Sequence, residues 1–309
     1  MGMTNNMLGV IKAVAENDLQ KAKQYALCCC AEDTTQKNHY AVARYKQLLT
    51  TGGINMIELP HNISAFASLE DVSMTYIEDR YYLTEDEKNL FELIRDMNDV
   101  AIQLMEKQIP YLNATLLYGE SGVGKTEFSR YVAYKLGLPY LYVNFSKMLD
   151  SYLGGTAKNL TALFKYINEQ KCVVMLDELD AMAVSRKYAD SSAGAEVSRS
   201  TTCLLQLLDS VTNDHIIIGA TNLVDDIDSA VKRRFTEKHE IKRLSADERY
   251  LFMKQYMESA SFNYDDDSVK NYAKEDHSQA EIMIYMTRCI AKALIEKTDK
   301  TAKEFFKIY

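Results

Sequence analysis

Residues 119–126 read GESGVGKT, which fits the pattern G-x-x-x-x-G-K-[ST]. Such glycines let backbone N–H groups wrap a phosphate at the start of a helix, the lysine reaches the outer phosphates, and the last hydroxyl binds Mg²⁺. The stretch follows an apolar run that is a predicted strand, and it opens the predicted helix EFSRYVAYKLG. The pattern requires this context. We therefore expect a phosphate-binding loop made of Gly119, Glu120, Ser121, Gly122, Val123, Gly124, Lys125 and Thr126, followed by Glu127.

A second group of polar residues follows the apolar run CVVMLD, which ends at Asp177. Two acids at a strand end can be only a solvated turn, but the phosphate loop earlier in the chain favours a catalytic use. Asp177 is then placed to hold Mg²⁺ together with Thr126, and Glu178 is placed to polarise an attacking water. Hydrolysis of the bound nucleotide is therefore expected as well as binding, with Mg²⁺ as a cofactor.

A third polar residue, Asn222, follows the run HIIIGAT. An asparagine at a strand end is by itself more often a turn residue. Because Asn222 follows the phosphate loop and the acidic pair in the chain, its amide is a candidate to hold the attacking water against the terminal phosphate.

The elements that must position these groups are short apolar runs that alternate with helical segments. Residues 114–119, 140–145, 172–177 and 215–220 are predicted buried parallel strands, because they are rich in branched or aromatic residues and too short for helices. Thr84 is a predicted N-cap of a long amphipathic helix that begins at residue 85. This alternation predicts a doubly wound α/β domain with a parallel sheet.

Changes of pattern along the chain divide it into four parts. We predict an N-terminal helical bundle of three short helices over 1–50, a linker over 51–83, the α/β domain over 84–243 and a C-terminal helical lid domain over 244–309.

Net charge, cysteine spacing and apolar runs bear on the partners and the cellular location expected for this protein. The 309 residues carry a formal net charge of −8, which argues against a broad nucleic-acid surface. The six cysteines show no disulfide or zinc spacing and are expected to be small buried side chains in a reducing compartment. No leader pattern and no run of ~18 apolar residues occurs, so a cytoplasmic protein without a membrane span is expected.

The order of phosphate loop, DE strand, GATN and DDIDSAVKRRF resembles that of the AAA+ ATPases, in particular the AAA clade, over about residues 112 to 290. The resemblance makes Asn222 the residue called sensor 1. It makes Arg233 and Arg234 arginine fingers, which in this family enter the neighbouring subunit's site and neutralise charge at the γ-phosphate. Fingers that act in trans imply self-association into a ring, most often a hexamer.

The segment SKMLDSYLGGTAKNLTALF resembles the part of the family that carries the central pore loop. By this resemblance Tyr152 and Leu153 would grip an extended protein substrate through nonspecific apolar contacts, as in a chaperone-like motor. Tyr152 as an ordinary core residue is the alternative.

Several residues depart from the family's pattern. Glu120 and Ser121 stand where the phosphate loop usually has two prolines, and Gln279 stands for the glycine of the lid signature S-G-A-[DE], which brings the adenine contact into question. The pair His239 and Glu240 lacks the second histidine of a zinc protease.

The leading hypothesis is a cytosolic ring ATPase that remodels, unfolds or disassembles proteins. One alternative is an ATP-dependent loader or regulator of nucleic-acid machinery, against which the aromatic pore loop and the acidic charge argue. Another is a nucleotide-regulated switch that works with a separate partner enzyme such as a protease.

Overall fold

A six-stranded mixed β-sheet lies at the centre of the chain. The computed structural model describes residues 3–16, 18–33, 59–73, 75–150, 155–182, 192–211 and 215–295, with five isolated positions between 42 and 49. The strands are β1 (Ala67–Glu70), β2 (Asn113–Tyr118), β3 (Tyr140–Asn144), β4 (Val173–Asp177), β5 (Ile216–Thr221) and β6 (Glu237–Glu240). Their order is β1-β3-β4-β5-β2-β6, in which β1 is antiparallel to β3 and the other pairs are parallel.

The four predicted strands are confirmed as β2 to β5, each to within one residue at either end. The two outer strands were not predicted. Since β1 belongs to the sheet, the predicted linker over 51–83 is wrong for its described part: residues 67–70 pair with β3, and a 3₁₀ turn follows at Glu78–Arg80. The polar sequence EKHE of β6 alternates between half-buried and exposed residues, so it carries no apolar signal.

Helices cover both faces of the sheet. The described helices are α1 (Asn5–Ala15), α2 (Leu19–Glu32), α3 (His61–Ser64), α4 (Glu85–Glu106), α5 (Lys125–Leu136), α6 (Phe145–Asp150), α7 (Thr156–Glu169), α8 (Leu179–Met182), α9 (Ser192–Leu208), α10 (Ser229–Lys232), α11 (Ala246–Ser259), α12 (Asp266–Ala273) and α13 (Gln279–Ile295). None of them is both long enough and apolar enough to cross a bilayer.

Successive side chains of β2 show how the layers form. Leu116 packs in a core with residues of α7 and α9, whereas Leu117 packs on the opposite face with residues of α4 and α5. Both leucines are fully buried because neighbouring residues of a strand point to opposite faces, and both faces are covered. The predicted α/β class with helices on both sides of the sheet is thus confirmed.

Helix α4 starts where the sequence indicates. The Thr84 hydroxyl accepts a hydrogen bond from the Glu87 N–H at 3.3 Å, and the Glu87 carboxylate accepts one from the Thr84 N–H at 2.8 Å. This reciprocal pair is a capping box, which satisfies two of the N–H groups that a helix start leaves open.

The ends of the described chain are helical. Helices α1 and α2 pack against each other, while α11, α12 and α13 enclose a core of their own. The third predicted helix of the N-terminal bundle falls largely outside the described residues. Among the cysteines, Cys172 and Cys289 are buried as expected, but Cys28 is exposed on α2.

Candidate functional site

The three predicted motifs meet at one edge of the sheet. The phosphate loop follows β2, the acidic pair ends β4, and Asn222 follows β5, and these three strands lie side by side in parallel. The carboxyl ends of parallel strands are where open α/β sheets bind ligands. A cavity of about 270 Å³ opens there, lined by Ser121, Gly122, Gly124, Lys125, Thr126, Glu127, Asp177, Glu178, Asn222, Gln279, Ala280 and Met283.

The phosphate loop depends on glycine. Gly119 has φ 143°, and a Cβ there would lie 2.2 Å from the carbonyl oxygen of Ile241. Gly124, with φ 111°, is the N-cap of α5. Only glycine adopts these conformations without strain, and the start of a helix such as α5 offers N–H groups that can bind an anion. Two predicted binding residues use their side chains elsewhere: Val123 is buried in the core, and the Glu120 carboxylate accepts a hydrogen bond from Arg243 Nε at 2.7 Å.

Lys125 is 8% exposed, and its ammonium is held by three oxygens. Nζ donates to the carbonyl oxygens of Gly119 and Glu120 and to Oδ1 of Asn222, each at 2.7 Å. Burial lowers the pKa of Lys125, and the carboxylates of Asp177 and Asp180 oppose this effect. The structure therefore brings two predicted site residues, Lys125 and Asn222, into direct contact.

Asp177 and Thr126 form a pair of oxygen donors. Thr126 Oγ1 lies 3.4 Å from Asp177 Oδ2, and Tyr142 donates its hydroxyl to the same oxygen at 3.1 Å. Burial raises the pKa of Asp177, while the Glu178 N–H, which donates to Oδ1, and the Tyr142 hydroxyl oppose that rise. A hydroxyl and a carboxylate beside a phosphate loop fit Mg²⁺, which prefers oxygen ligands and usually shares them with substrate phosphates.

Glu178 has an uncommon backbone conformation. Its φ is 57°, a left-handed value that costs a non-glycine residue about 1 kcal/mol or more. Its side chain lines the cavity, and the carboxylate has no hydrogen-bond partner among the residues of the described ranges. A carboxylate in that position can accept a proton from water near the phosphate end of the cavity.

Asp180 orients the segment that carries Asn222. Its Oδ1 accepts hydrogen bonds from the Thr221 hydroxyl at 2.7 Å and from the Asn222 N–H at 3.3 Å. Sequence reasoning missed this role, and that of Tyr142. Asp180 is visible in DELD and Tyr142 in YLYVNF, but their partners follow only from the adjacency of β3, β4 and β5.

Helix α13, which lies in the predicted helical lid, supplies one wall of the cavity. The Ala280 N–H, at the start of α13, donates to the carbonyl oxygen of Gly122 at 3.1 Å. Gln279 is buried beside Gly124, and Met283 adds an apolar surface. Tyr81 is also buried near Gly124 but does not line the cavity.

The two arginines lie outside the cavity of their own chain. Arg234 donates from Nε and Nη2 to the two carboxylate oxygens of Asp209 at 3.1 and 2.9 Å, and from Nη1 to the carbonyl oxygen of Ala230 at 3.2 Å. Arg233 is exposed, and its side chain has no hydrogen bond or ion pair with another residue that the structure describes. Tyr152 and Leu153, the predicted pore residues, lie outside the described residues.

Comparisons with known proteins agree on one family. Residues 115–243 match the model of the ATPase family associated with various cellular activities (AAA). An uncharacterised AAA family ATPase of Sinorhizobium fredii is 33% identical over 191 residues, which are 62% of this chain and 57% of that protein. A proteasome-activating nucleotidase of Methanospirillum hungatei is 34% identical over 157 residues, covering 49% of this chain and 38% of the relative.

A third relative is an outer mitochondrial transmembrane helix translocase of Danio rerio, 28% identical over 219 residues, 66% of this chain and 56% of the relative. The chain thus spans between 38% and 57% of the length of these relatives. The matched region contains the phosphate loop, the acidic pair, Asn222 and both arginines. Over residues 115–243, therefore, the chain matches an AAA domain and is similar to AAA family ATPases.

Proposed function

We propose that the protein hydrolyses ATP and uses the energy, as a ring, to remodel, unfold or disassemble other proteins. The observation that carries the hydrolytic part is the convergence of Lys125, Thr126, Asp177, Glu178 and Asn222 on one cavity. These residues come from three different strand ends, and each type matches a task that phosphoryl transfer needs.

Each side chain has a proposed role in the reaction. Lys125 binds the outer phosphates, and Thr126 and Asp177 hold Mg²⁺, which when bound neutralises charge on the phosphate oxygens. Glu178 accepts the proton of the attacking water, and Asn222 orients that water.

The contact between Lys125 and Asn222 implies that nucleotide binding precedes the positioning of the attacking water. Phosphate oxygens compete with Asn222 Oδ1 for the Lys125 ammonium, so binding of a nucleotide releases the Asn222 amide. The released amide can then hold the attacking water. The site would therefore become hydrolytic only after the phosphates are in place.

The positions of Arg233 and Arg234 support assembly into a ring, in which a hexamer is the proposed size. Neither arginine lines the cavity of its own chain. A guanidinium that acts on the γ-phosphate must then come from a neighbouring subunit, and a heterologous contact of this kind gives a ring when its rotation closes.

Protein substrates are the proposed cargo. Tyr152 and Leu153 would contact an extended polypeptide in the centre of the ring, and the net charge of −8 disfavours a nucleic acid. Two of the relatives are named for a proteasome and for a transmembrane helix, which are protein partners or cargo. The N-terminal helices α1 and α2 would choose the substrate.

The test is a trap for bound substrate. Glu178→Gln should bind ATP but hydrolyse it at least about 100-fold more slowly, since a general base contributes about that much or more. Material that co-purifies with this variant in ATP would be analysed by mass spectrometry and nucleic-acid staining, with Lys125→Ala as the control that lacks nucleotide.

We expect ATP-dependent capture of polypeptides by Glu178→Gln and none by Lys125→Ala. Captured nucleic acid would instead support the loader, and one stoichiometric enzyme would support the switch.

A second pair of variants separates the pore residues from the hydrolytic site. Tyr152→Ala should keep hydrolysis and lose substrate handling, and Tyr152→Phe should keep both. Loss of hydrolysis alone in Tyr152→Ala would contradict the pore assignment.

A further inference from the structure

Gln279 has a buried side-chain amide whose nitrogen lacks a partner in the part of the chain that the structure describes. It is the first residue of α13 and is only 4% exposed. Its Nε2 is fully buried and makes no hydrogen bond to any residue in the described ranges. Buried polar groups are nearly always hydrogen-bonded, so an unpaired amide in a functional cavity indicates a group that the protein alone does not supply.

The amide lies at the edge of the nucleotide cavity. Gln279 lines that cavity, and its Oε1 lies 3.4 Å from the position that a Cβ on Gly124 would occupy. A half-turn of the terminal torsion exchanges the amide oxygen and nitrogen, so Gln279 can present either a donor or an acceptor to the cavity.

The surroundings of Gln279 differ from the phosphate end of the cavity. Lys125, Asp177, Glu178 and Asn222 concentrate charge and polarity at that end, whereas Ala280 and Met283 form an apolar wall beside Gln279. An apolar wall with one amide is the chemistry that binds a flat heteroaromatic ring and fixes its orientation.

We propose that Gln279 recognises the adenine base of the nucleotide, an assignment that rests on the proposed ATPase function. A glutamine amide offers one donor and one acceptor side by side, which matches the N6 amino group of adenine and its neighbouring ring nitrogen. On the edge that carries the sixth position and N7, hypoxanthine and guanine present two acceptors, O6 and N7, so the amide oxygen would face an acceptor whichever way the amide is turned. Gln279 is thus a specificity-determining residue that discriminates against those bases.

The experiment compares ADP with IDP, which differ in the group at the sixth position. Kd values would be measured by calorimetry for the full chain and for Gln279→Met, which keeps the length of the side chain but removes its hydrogen bonds. The wild-type protein should bind ADP at least about tenfold more tightly than IDP, and Gln279→Met should reduce this ratio at least about fivefold. The unliganded Tm of the variant should be no lower, because an unpaired buried amide has been replaced by an apolar group.

Other outcomes would overturn the assignment. An equal loss of affinity for ADP and IDP in Gln279→Met would place the amide on the phosphates or the ribose. A lower Tm with an unchanged ADP to IDP ratio would show that Gln279 only packs. Wild-type protein that binds neither nucleotide would overturn the proposed ATPase function along with the assignment, whereas tight ADP binding with an unchanged ratio would overturn the assignment alone.

Discussion

At the scale of single residues, the site holds opposite charges partly out of water before any ligand arrives. Burial lowers the pKa of Lys125 and raises the pKa of Asp177, so the charged form of each side chain is less favourable here than in water. In the proposed function, nucleotide phosphates and Mg²⁺ would supply charges opposite to those of Lys125 and Asp177. Binding would then be favoured at the expense of the stability of the unliganded protein, as is often found at functional sites.

Replacement of Asp177 tests whether the ionised carboxylate lowers the stability of the unliganded protein. The folded-state pKa of Asp177 lies above the ordinary 3.8, so the ionised group destabilises the fold at neutral pH. We expect Asp177→Asn to raise the Tm of the unliganded protein near pH 7.5 by about 2 °C or more. The gain should shrink as the pH falls through the raised pKa toward 3.8, because the wild-type carboxyl then becomes neutral too.

Asp266 is the matched control for thermal unfolding across pH. Lys270 and then Tyr250 hydrogen-bond its carboxylate and hold its pKa below the ordinary value. Asp266→Asn should therefore lower the Tm at neutral pH, and this loss should vanish in acid. A gain in Asp177→Asn that stayed constant from pH 8 to below the ordinary pKa of 3.8 would contradict the electrostatic explanation.

At the scale of elements, the lid and the phosphate loop form one connected unit. Arg243, between β6 and α11, bonds Glu120 of the loop and the carbonyl oxygen of Asp276, the latter at 3.3 Å. Helix α13 bonds Gly122 directly through the Ala280 N–H. A displacement of the predicted lid would therefore also shift the loop that is proposed to bind phosphate.

Arg249 holds the lid together from inside. Its side chain is 7% exposed, and it donates to the carbonyl oxygens of Ala273 and Leu244 and to Asp276 Oδ1. Arg249→Met should lower the free energy of unfolding of the lid by roughly 3 kcal/mol, because buried acceptors at the end of α12 lose their donor. Urea denaturation with hydrogen exchange on α12 would measure the loss.

Lys254→Met on the same helix α11 is the control. Lys254 is half exposed and only approaches Glu258 at 4.0 Å, so its removal should change stability by less than about 0.5 kcal/mol. Equal changes in the free energy of unfolding in Arg249→Met and Lys254→Met would show that the buried hydrogen bonds of Arg249 do not stabilise the lid.

At the scale of the whole molecule, the AAA domain is incomplete as a single subunit if the arginines act as proposed. Arg234 is fixed by Asp209 at the end of α9, and Arg233 points into solvent. A rigidly held guanidinium at the surface is suited to complete a site on another copy of the chain.

A mixing experiment tests whether Arg234 acts across a subunit boundary. Arg234→Ala and Glu178→Gln should each hydrolyse ATP poorly alone. Complexes that contain both variants, selected with two different tags, should recover hydrolysis, because the intact Glu178 of one copy meets the intact Arg234 of its neighbour. Mixed complexes as inactive as either parent would contradict action in trans. A double variant that carries both changes in one chain should give no recovery.

The sequence by itself determined the inner strands, the start of α4 and the phosphate loop. These features depend on local properties: continuous apolar runs bury both faces of a strand, threonine caps a helix, and glycine allows φ values that other residues avoid. The polar outer strand β6 and the short strand β1 lack such a signal, so they escaped prediction.

Only the tertiary structure decided which polar groups meet. Lys125 contacts Asn222, Tyr142 contacts Asp177, and Ala280 contacts Gly122, although each pair is far apart in the chain. The partner of a polar group depends on which strands and helices lie side by side. That order is set by packing of the whole sheet and not by the residues near either partner.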